Sequence, residues 1–175
     1  MVSDVSLFKY QFHKIAFTWY VLAAVIVVLD QVSKQMVSHA FQLGETLTFT
    51  SFFNFTLRHN YGAAFSIFHD AGGWQRIFLS AVSLIASIVL IAWVGSLSRA
   101  RKFEALALTL VLGGAVGNLV DRVWLGYVVD FIVFHYESYY FPAFNIADSA
   151  ISLGAALLIY DALFLQNKRT QEVAV

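Results

Sequence analysis

The chain has 175 residues, of which 59% are hydrophobic and 13% charged, and its mean hydropathy is +0.71. A soluble domain of this size does not expose so apolar a surface to water, so lipid is the expected solvent for most of it. The net charge is zero without a run of like charges, which excludes a nucleic-acid-binding arm, and the lack of cysteine excludes disulfides, thiolate metal sites and a cysteine nucleophile.

Crossing about 30 Å of hydrocarbon takes roughly 20 helical residues. Four apolar runs of that length occur, at about 17–36, 75–94, 103–125 and 146–165. Lipid leaves a backbone only helices or closed barrels, so the expected fold class is an all-α membrane protein of four transmembrane helices, one domain over residues 1–175. The first run follows Lys9 and Lys14 and precedes Ser38-His39-Ala40, as in a cleaved secretory leader. Asp30, Lys34 and the long polar gap after them argue against cleavage. The first connection, 38–73, contains Thr46, Leu47, Thr48, Phe49, Phe52, Phe53, Phe55 and Leu57, bounded by Gly44 and Gly62. This β-branched and aromatic segment reads as short strands lying on the membrane surface. The third connection, 126–145, is rich in Phe and Tyr and holds the only proline, Pro142.

Lys9, Lys14, Arg99, Arg101, Lys102, Lys168 and Arg169 fall at one set of helix ends, whereas Lys34, Arg58, Arg76 and Arg122 fall at the other. The positive-inside bias therefore makes both termini cytoplasmic and the first and third connections external. Trp74 and Trp124 then belong to the outer interface and Trp93 to the inner one.

An ionisable residue inside a span costs about 2.5–3.5 kcal/mol near the bilayer centre, so each requires a reason. At a rise of 1.5 Å per residue, Asp30 lies roughly 20 Å above the inner end of its span, Asn118 about 22 Å, Lys34 about 26 Å and Asp121 about 27 Å. Asp130 follows just beyond the third span and Asp148 falls in the first turn of the fourth, so all converge on the outer boundary. Simpler accounts exist for several. Asp30 and Lys34, spaced i,i+4, pair on one helix face. Gly113 and Gly117 form a small-xxx-small packing pair. Asn145 and Asp148 read as an N-cap and an acidic third residue, and Asp121 with Arg122 as an interfacial ion pair. Asp161, near the inner end, reads as structural. The five histidines show no ligand spacing, so no metal site is expected. His59 and His135 are taken as surface residues.

Two aspartates held close cannot both ionise, so one retains a proton and donates it while the other activates water. The helix dipole favours charge on Asp148, leaving Asp130 as the expected proton holder. Spacing alone leaves open a proton-coupled transporter, a Ser33–Lys34 hydrolase and a small membrane scaffold. Carboxylates at one end and no internal repeat count against the transporter, and adjacent residues on a helix point about 100° apart, which counts against Ser33 with Lys34.

Five segments narrow the choice: Asp-Gln-Val-Ser-Lys at 30–34, Arg-His-Asn-Tyr-Gly-Ala-Ala-Phe-Ser at 58–66, Gly-Gly-Ala-Val-Gly-Asn-Leu-Val-Asp-Arg at 113–122, Val-Val-Asp-Phe at 128–131 and Phe-Asn-Ile-Ala-Asp-Ser at 144–149. Together and in this order they resemble the motif series of the lipoprotein signal peptidases (signal peptidase II). The resemblance implies an aspartyl endopeptidase of the bacterial inner membrane, with its active site on the outer side. It implies Asp130 and Asp148 as the catalytic pair, with Asp30, Lys34, Asn60, Gly62, Asn118, Asp121, Arg122 and Asn145 supporting or lining the site. The implied substrate is a diacylglyceryl-modified prolipoprotein, cut on the amino side of its lipidated cysteine. No cofactor is implied, the partners are substrate and membrane lipid, and a monomer is expected. The external strands then resemble the family's surface cradle, and the third connection a mobile cover including Trp124, Phe131 and residues 136–141.

Overall fold

The protein is described by a computed structural model over residues 14–62 and 73–165. Lys9, Lys168, Arg169 and the 63–66 part of the second motif lie outside the described residues. The elements follow in the order α1 (Lys14–Ala40), β1 (Thr46–Thr50), β2 (Phe53–Asn60), α2 (Trp74–Ser96), α3 (Lys102–Trp124), β3 (Val128–Tyr136), β4 (Tyr139–Tyr140) and α4 (Ile146–Tyr160). One π-helical turn, Asp161–Leu165, extends α4. Among the described residues, four helices are long and apolar enough to cross a membrane, the last by including the π turn. The fold is therefore the expected four-helix membrane protein with a small antiparallel sheet.

The third helix is the centre of the bundle. Its most apolar stretch is 61% buried within the protein, against 17–22% in the other three, whose remaining surface is left to lipid. Val25, Val28 and Leu29 on α1 and Ile77, Ile85 and Ile88 on α2 accordingly face outward. Without a hydrophobic drive between helices in lipid, close packing of small residues sets the contacts. A Cβ on Gly114 would stand 2.3 Å from Ala147 O, and one on Gly154 would stand 2.6 Å from Ala107 O, so α3 and α4 touch backbone to backbone. Gly113 abuts Ile26, and Gly117 abuts Asp30 Oδ2, which brings α1 equally close. The packing role read for Gly113 and Gly117 thus extends to Gly114. Ala23, Leu90, Val94, Leu97, Ala105, Leu108 and Leu112 form the apolar core.

The strands form one antiparallel sheet in the order β1-β2-β3-β4, although α2 and α3 intervene in the chain between β2 and β3. β1 and β2 lie where strands were expected, but the third connection also supplies β3 and β4, where a cover loop was expected. Val128–Tyr136 runs antiparallel to β2, with Ile132 opposite Phe55 and Phe134 opposite Phe53. Phe131, assigned to that cover, is instead buried within β3. Trp124, Tyr136, Tyr139, Tyr140 and Phe141 do remain exposed. Phe49, Phe53, Phe55 and Phe134 pack ring against ring on the sheet.

The pairing of β2 with β3 contains one irregularity. Between the pairs Phe55↔Ile132 and Arg58↔Asp130, β2 advances three residues while β3 advances two. A bulge of this kind inverts the face on which all later side chains of β2 project. It brings Arg58 and Asn60 to the face of β3 that carries Asp130.

Candidate active site

The C-terminal ends of α1 and α3, the start of α4 and the start of β3 meet at one polar cluster. Lys34 is its hub, and it is buried. Its ammonium has three donors, and it spends them on Asp30 Oδ2 at 2.8 Å, Asp121 Oδ2 at 2.9 Å and Asn118 Oδ1 at 3.1 Å. Leaving a buried charge unpaired costs roughly 3–5 kcal/mol, which is why two carboxylates and an amide surround it. Asp30 also accepts Ala147 N at 2.9 Å, and Asp121 accepts Val129 N at 3.1 Å. The cluster therefore ties α1 to α4 and α3 to β3.

Asp148 lies in the first turn of α4, which begins with a complete capping box. Asn145 Oδ1 accepts Asp148 N at 2.9 Å, and Asp148 Oδ2 accepts Asn145 N at 3.3 Å. Asp148 Oδ1 receives Asn118 Nδ2 at 2.7 Å. Asp130, on β3, receives Asn145 Nδ2 on Oδ1 at 2.7 Å and Asn60 Nδ2 on Oδ2 at 3.0 Å. One asparagine, Asn145, thus caps the helix that carries Asp148 and also holds Asp130. Gly62 closes the ring: its N–H donates to Asn60 Oδ1 at 3.0 Å and its carbonyl accepts Arg122 Nη2 at 3.2 Å.

Asp130 is buried, and removal from water pushes its carboxyl up to about 7, with the negative charge of Asp148 adding to the rise. Amide donors from Asn60 and Asn145 and the charge of Lys34 act in the opposite direction and do not cancel it. By the two-residue repeat of a strand, Asp130 shares a face of β3 with Ile132 and Phe134. The aromatic face of the sheet therefore leads to the carboxyl group.

Residues 22–164 match the family described as Signal peptidase (SPase) II. The chain belongs to the signal peptidase II family. It is 59% identical over 149 residues to the lipoprotein signal peptidase of Teredinibacter turnerae, covering 85% of this chain and 89% of that one. To the lipoprotein signal peptidase of Acinetobacter baumannii it is 45% identical over 160 residues, 91% of each chain. A bacterial membrane enzyme solved by the in meso method at 2.3 Å superposes with a TM-score of 0.73 at 34% identity, over 83% of this chain and 87% of that one.

All ten positions singled out from the sequence, Asp30, Lys34, Asn60, Gly62, Asn118, Asp121, Arg122, Asp130, Asn145 and Asp148, belong to this one network. Two simpler accounts change. Asp121 pairs with Lys34 rather than with Arg122, whose guanidinium donates to the carbonyls of Asn118 and Gly62. His135 is half-buried, stacked on Tyr140, and both its ring nitrogens lack a partner, so it is not a free surface residue. His59 stacks on Tyr127, and burial holds its imidazole below the ordinary value. Asp161 is buried in the π turn, at the end of the fourth helix opposite to Asp148. Gln31 is the residue that sequence reading passed over: its amide donates to Asp121 Oδ1 at 2.8 Å and to Gly117 O at 3.2 Å. It stands inside the 30–34 segment between Asp30 and Lys34, and an uncharged amide there carries no signal of its own in a linear sequence. Among the described residues no group of His, Asp and Glu is arranged to hold a metal ion.

Proposed function

We propose that this signal peptidase II is an aspartyl endopeptidase in which Asp130 and Asp148 are the catalytic pair, cutting diacylglyceryl-modified prolipoproteins on the amino side of the lipidated cysteine. The observation that carries the reading is the joining of two carboxyl groups through Asn145, with Asp130 on a strand and Asp148 in the first turn of a helix. That difference supports a division of labour. Asp148, favoured as the anion by the helix dipole, takes a proton from water as the water oxygen attacks the scissile carbonyl carbon. Asp130 gives its proton to the carbonyl oxygen. When the tetrahedral intermediate collapses, the C–N bond breaks, the amine nitrogen takes the proton held by Asp148, and Asp130 recovers its own from the hydroxyl.

The lipid requirement is supported by position. The pair lies at the outer ends of helices that cross the membrane by length and composition, beside an aromatic sheet face with Phe49 and Phe52 largely exposed. A diacylglyceryl anchor would hold a cysteine at that depth, and exposed aromatic rings offer apolar surface to its glyceryl and acyl portions. On this reading both termini are cytoplasmic, the site faces the outer side of the inner membrane, and the chain acts as a monomer.

Cleavage of a lipidated propeptide, of its unlipidated twin and by three variants tests the reading. The lipidated peptide should be cut and the twin should not. Asp130→Asn and Asp148→Asn should each lose about 10² to 10⁴ in rate, since an amide keeps the shape but cannot exchange a proton. Asp161→Asn should retain most activity. Near wild-type turnover by either correctly folded site variant would remove the aspartyl mechanism, and equal cleavage of the twin would remove the lipid requirement.

A further inference from the structure

Arg76 stands in the first turn of α2, and its guanidinium is seated on carbonyl oxygens of a different helix. Nε donates to Arg122 O at 2.8 Å and Nη2 to Val123 O at 2.7 Å. These carbonyls belong to the last turn of α3, where helix geometry leaves acceptors without an intrahelical donor. Its positive charge also complements the negative end of that helix dipole. The chain folds tightly over it: Gly126, at φ +89°, would bring a Cβ within 3.3 Å of Arg76 Cζ and Nη1. Arg76 is thus a C-cap for α3 supplied by α2.

The turn it holds carries much of the polar network. Arg122 reaches Gly62 O with its side chain while its own carbonyl is held by Arg76. Asp121, one residue earlier, accepts from Lys34, Gln31 and Val129 N. Val129 is the residue before Asp130. A shift of this last turn would therefore reach Asp130 through the hydrogen bond from Val129 N to the Asp121 carboxylate and would reach Asn60 through Gly62. A simple tie between α2 and α3 could have been made at many lipid-facing places; this one is made at the turn that orients the site.

We propose that Arg76 is a positioning residue for peptide cleavage, acting through the last turn of α3 on Asp121, Arg122 and the start of β3. The proposal rests on the aspartyl reading only for the identity of the group that is positioned.

The test is kcat and KM for a diacylglyceryl propeptide with the wild-type protein and with Arg76→Ala, Arg76→Gln and Arg76→Lys, alongside thermal stability in detergent. Misplacement of reacting groups by about 1 Å can cost about a hundredfold, so Arg76→Ala should lower kcat by roughly ten- to a hundredfold. KM should stay within about threefold, because substrate contacts are not removed. Arg76→Lys offers a point charge in place of a planar fork and should restore only part of the loss. Unchanged kcat, with or without a lower melting temperature, would reduce Arg76 to a helix tie and overturn the proposal. A raised KM at unchanged kcat would overturn it too, by making Arg76 a substrate contact. Should Arg76→Ala fail to fold, Arg76→Gln and Arg76→Lys read the same division between kcat and KM. Asp130→Asn is measured in parallel: turnover there would sink the aspartyl mechanism while leaving the Arg76 result to stand or fall by its own kcat.

Discussion

Asn60, Asn118 and Asn145 each accept a hydrogen bond on the amide oxygen, from Gly62 N, Lys34 Nζ and Asp148 N, which fixes the direction in which each amide faces. Their NH₂ groups are left pointing at carboxylates, Asn60 and Asn145 at Asp130 and Asn118 at Asp148. An amide can donate to a carboxylate without supplying it a proton, so these bonds hold both carboxyl groups without taking part in the proton transfer proposed for Asp130. Each oxygen of Asp130 accepts one amide, which leaves a lone pair where, on the proposed mechanism, its proton would sit facing a substrate carbonyl. With Asp130 titrating at about 7, kcat/KM should fall as pH rises through about 7, where that proton is lost. Stability should respond in the same window. Asp130 binds its proton more tightly folded than unfolded, so its contribution is fully present below about 4, is lost as pH rises toward 7, and is flat above. Asp130→Asn removes that dependence, so its melting temperature relative to wild type should rise between pH 4 and 7, by the equivalent of up to about a few kcal/mol. A wild-type profile flat from pH 5 to 9 would contradict the assignment. These residues were legible as a group because charge is costly in lipid and all of them fell at one depth. Arg76 was read only as an outer-side cation, since nothing in a linear sequence indicates that a guanidinium will cap another helix.

Elements were easier to locate than to pair. The helix limits fall within about four residues of those expected, because lipid enforces length and hydropathy together. β1 and β2 were visible in their β-branched and aromatic residues, and the same signal runs through Val128–Phe134, yet the resemblance implied a mobile cover for that connection. Its partner is β2, far away in sequence, and a bulge sets their register. Counting in twos from Phe55 puts Asn60 on the wrong face; only the extra residue brings it to Asp130, and no local pattern announces it. The contact between α3 and α4 is the most exacting at this scale. Gly114→Ala would place a methyl group 2.3 Å from Ala147 O, a backbone atom one residue before Asp148. Overpacking of this kind costs about 1–3 kcal/mol. Gly114→Ala should therefore lower the melting temperature and also lower kcat, as the start of α4 moves away from Asn118. By comparison, a Cβ on Gly44 meets nothing within 4 Å, although its φ of +85° makes that position a poor neutral control.

The whole molecule is polarised along its helix axes. Its apolar core lies among Ala23, Leu90, Val94, Leu97 and Leu108, where α2 ends and α3 begins, and its polar network lies at the opposite ends beside the sheet. The direction in which the bundle is inserted therefore decides from which side of the membrane a peptide can reach Asp130 and Asp148. Arg99, Arg101 and Lys102 crowd the connection between α2 and α3, and cationic short loops are retained on the cytoplasmic side. The connection between β3 and β4, at Glu137 and Ser138, should then face outward. Because the chain contains no cysteine, single thiols can be introduced without competition from native ones. Ser98 and Ser138 are both exposed and sit on opposite connections. In intact cells whose outer barrier has been removed, a membrane-impermeant maleimide should label Ser138→Cys and should reach Ser98→Cys only after detergent opens the bilayer. Both variants should cleave the lipidated propeptide, which verifies that the labelled molecules are folded. The opposite labelling pattern would put the carboxyl pair in the cytoplasm, and equal labelling of both in sealed cells would mean mixed insertion; either result would refute an outward-facing site, whatever the chemistry of the two aspartates.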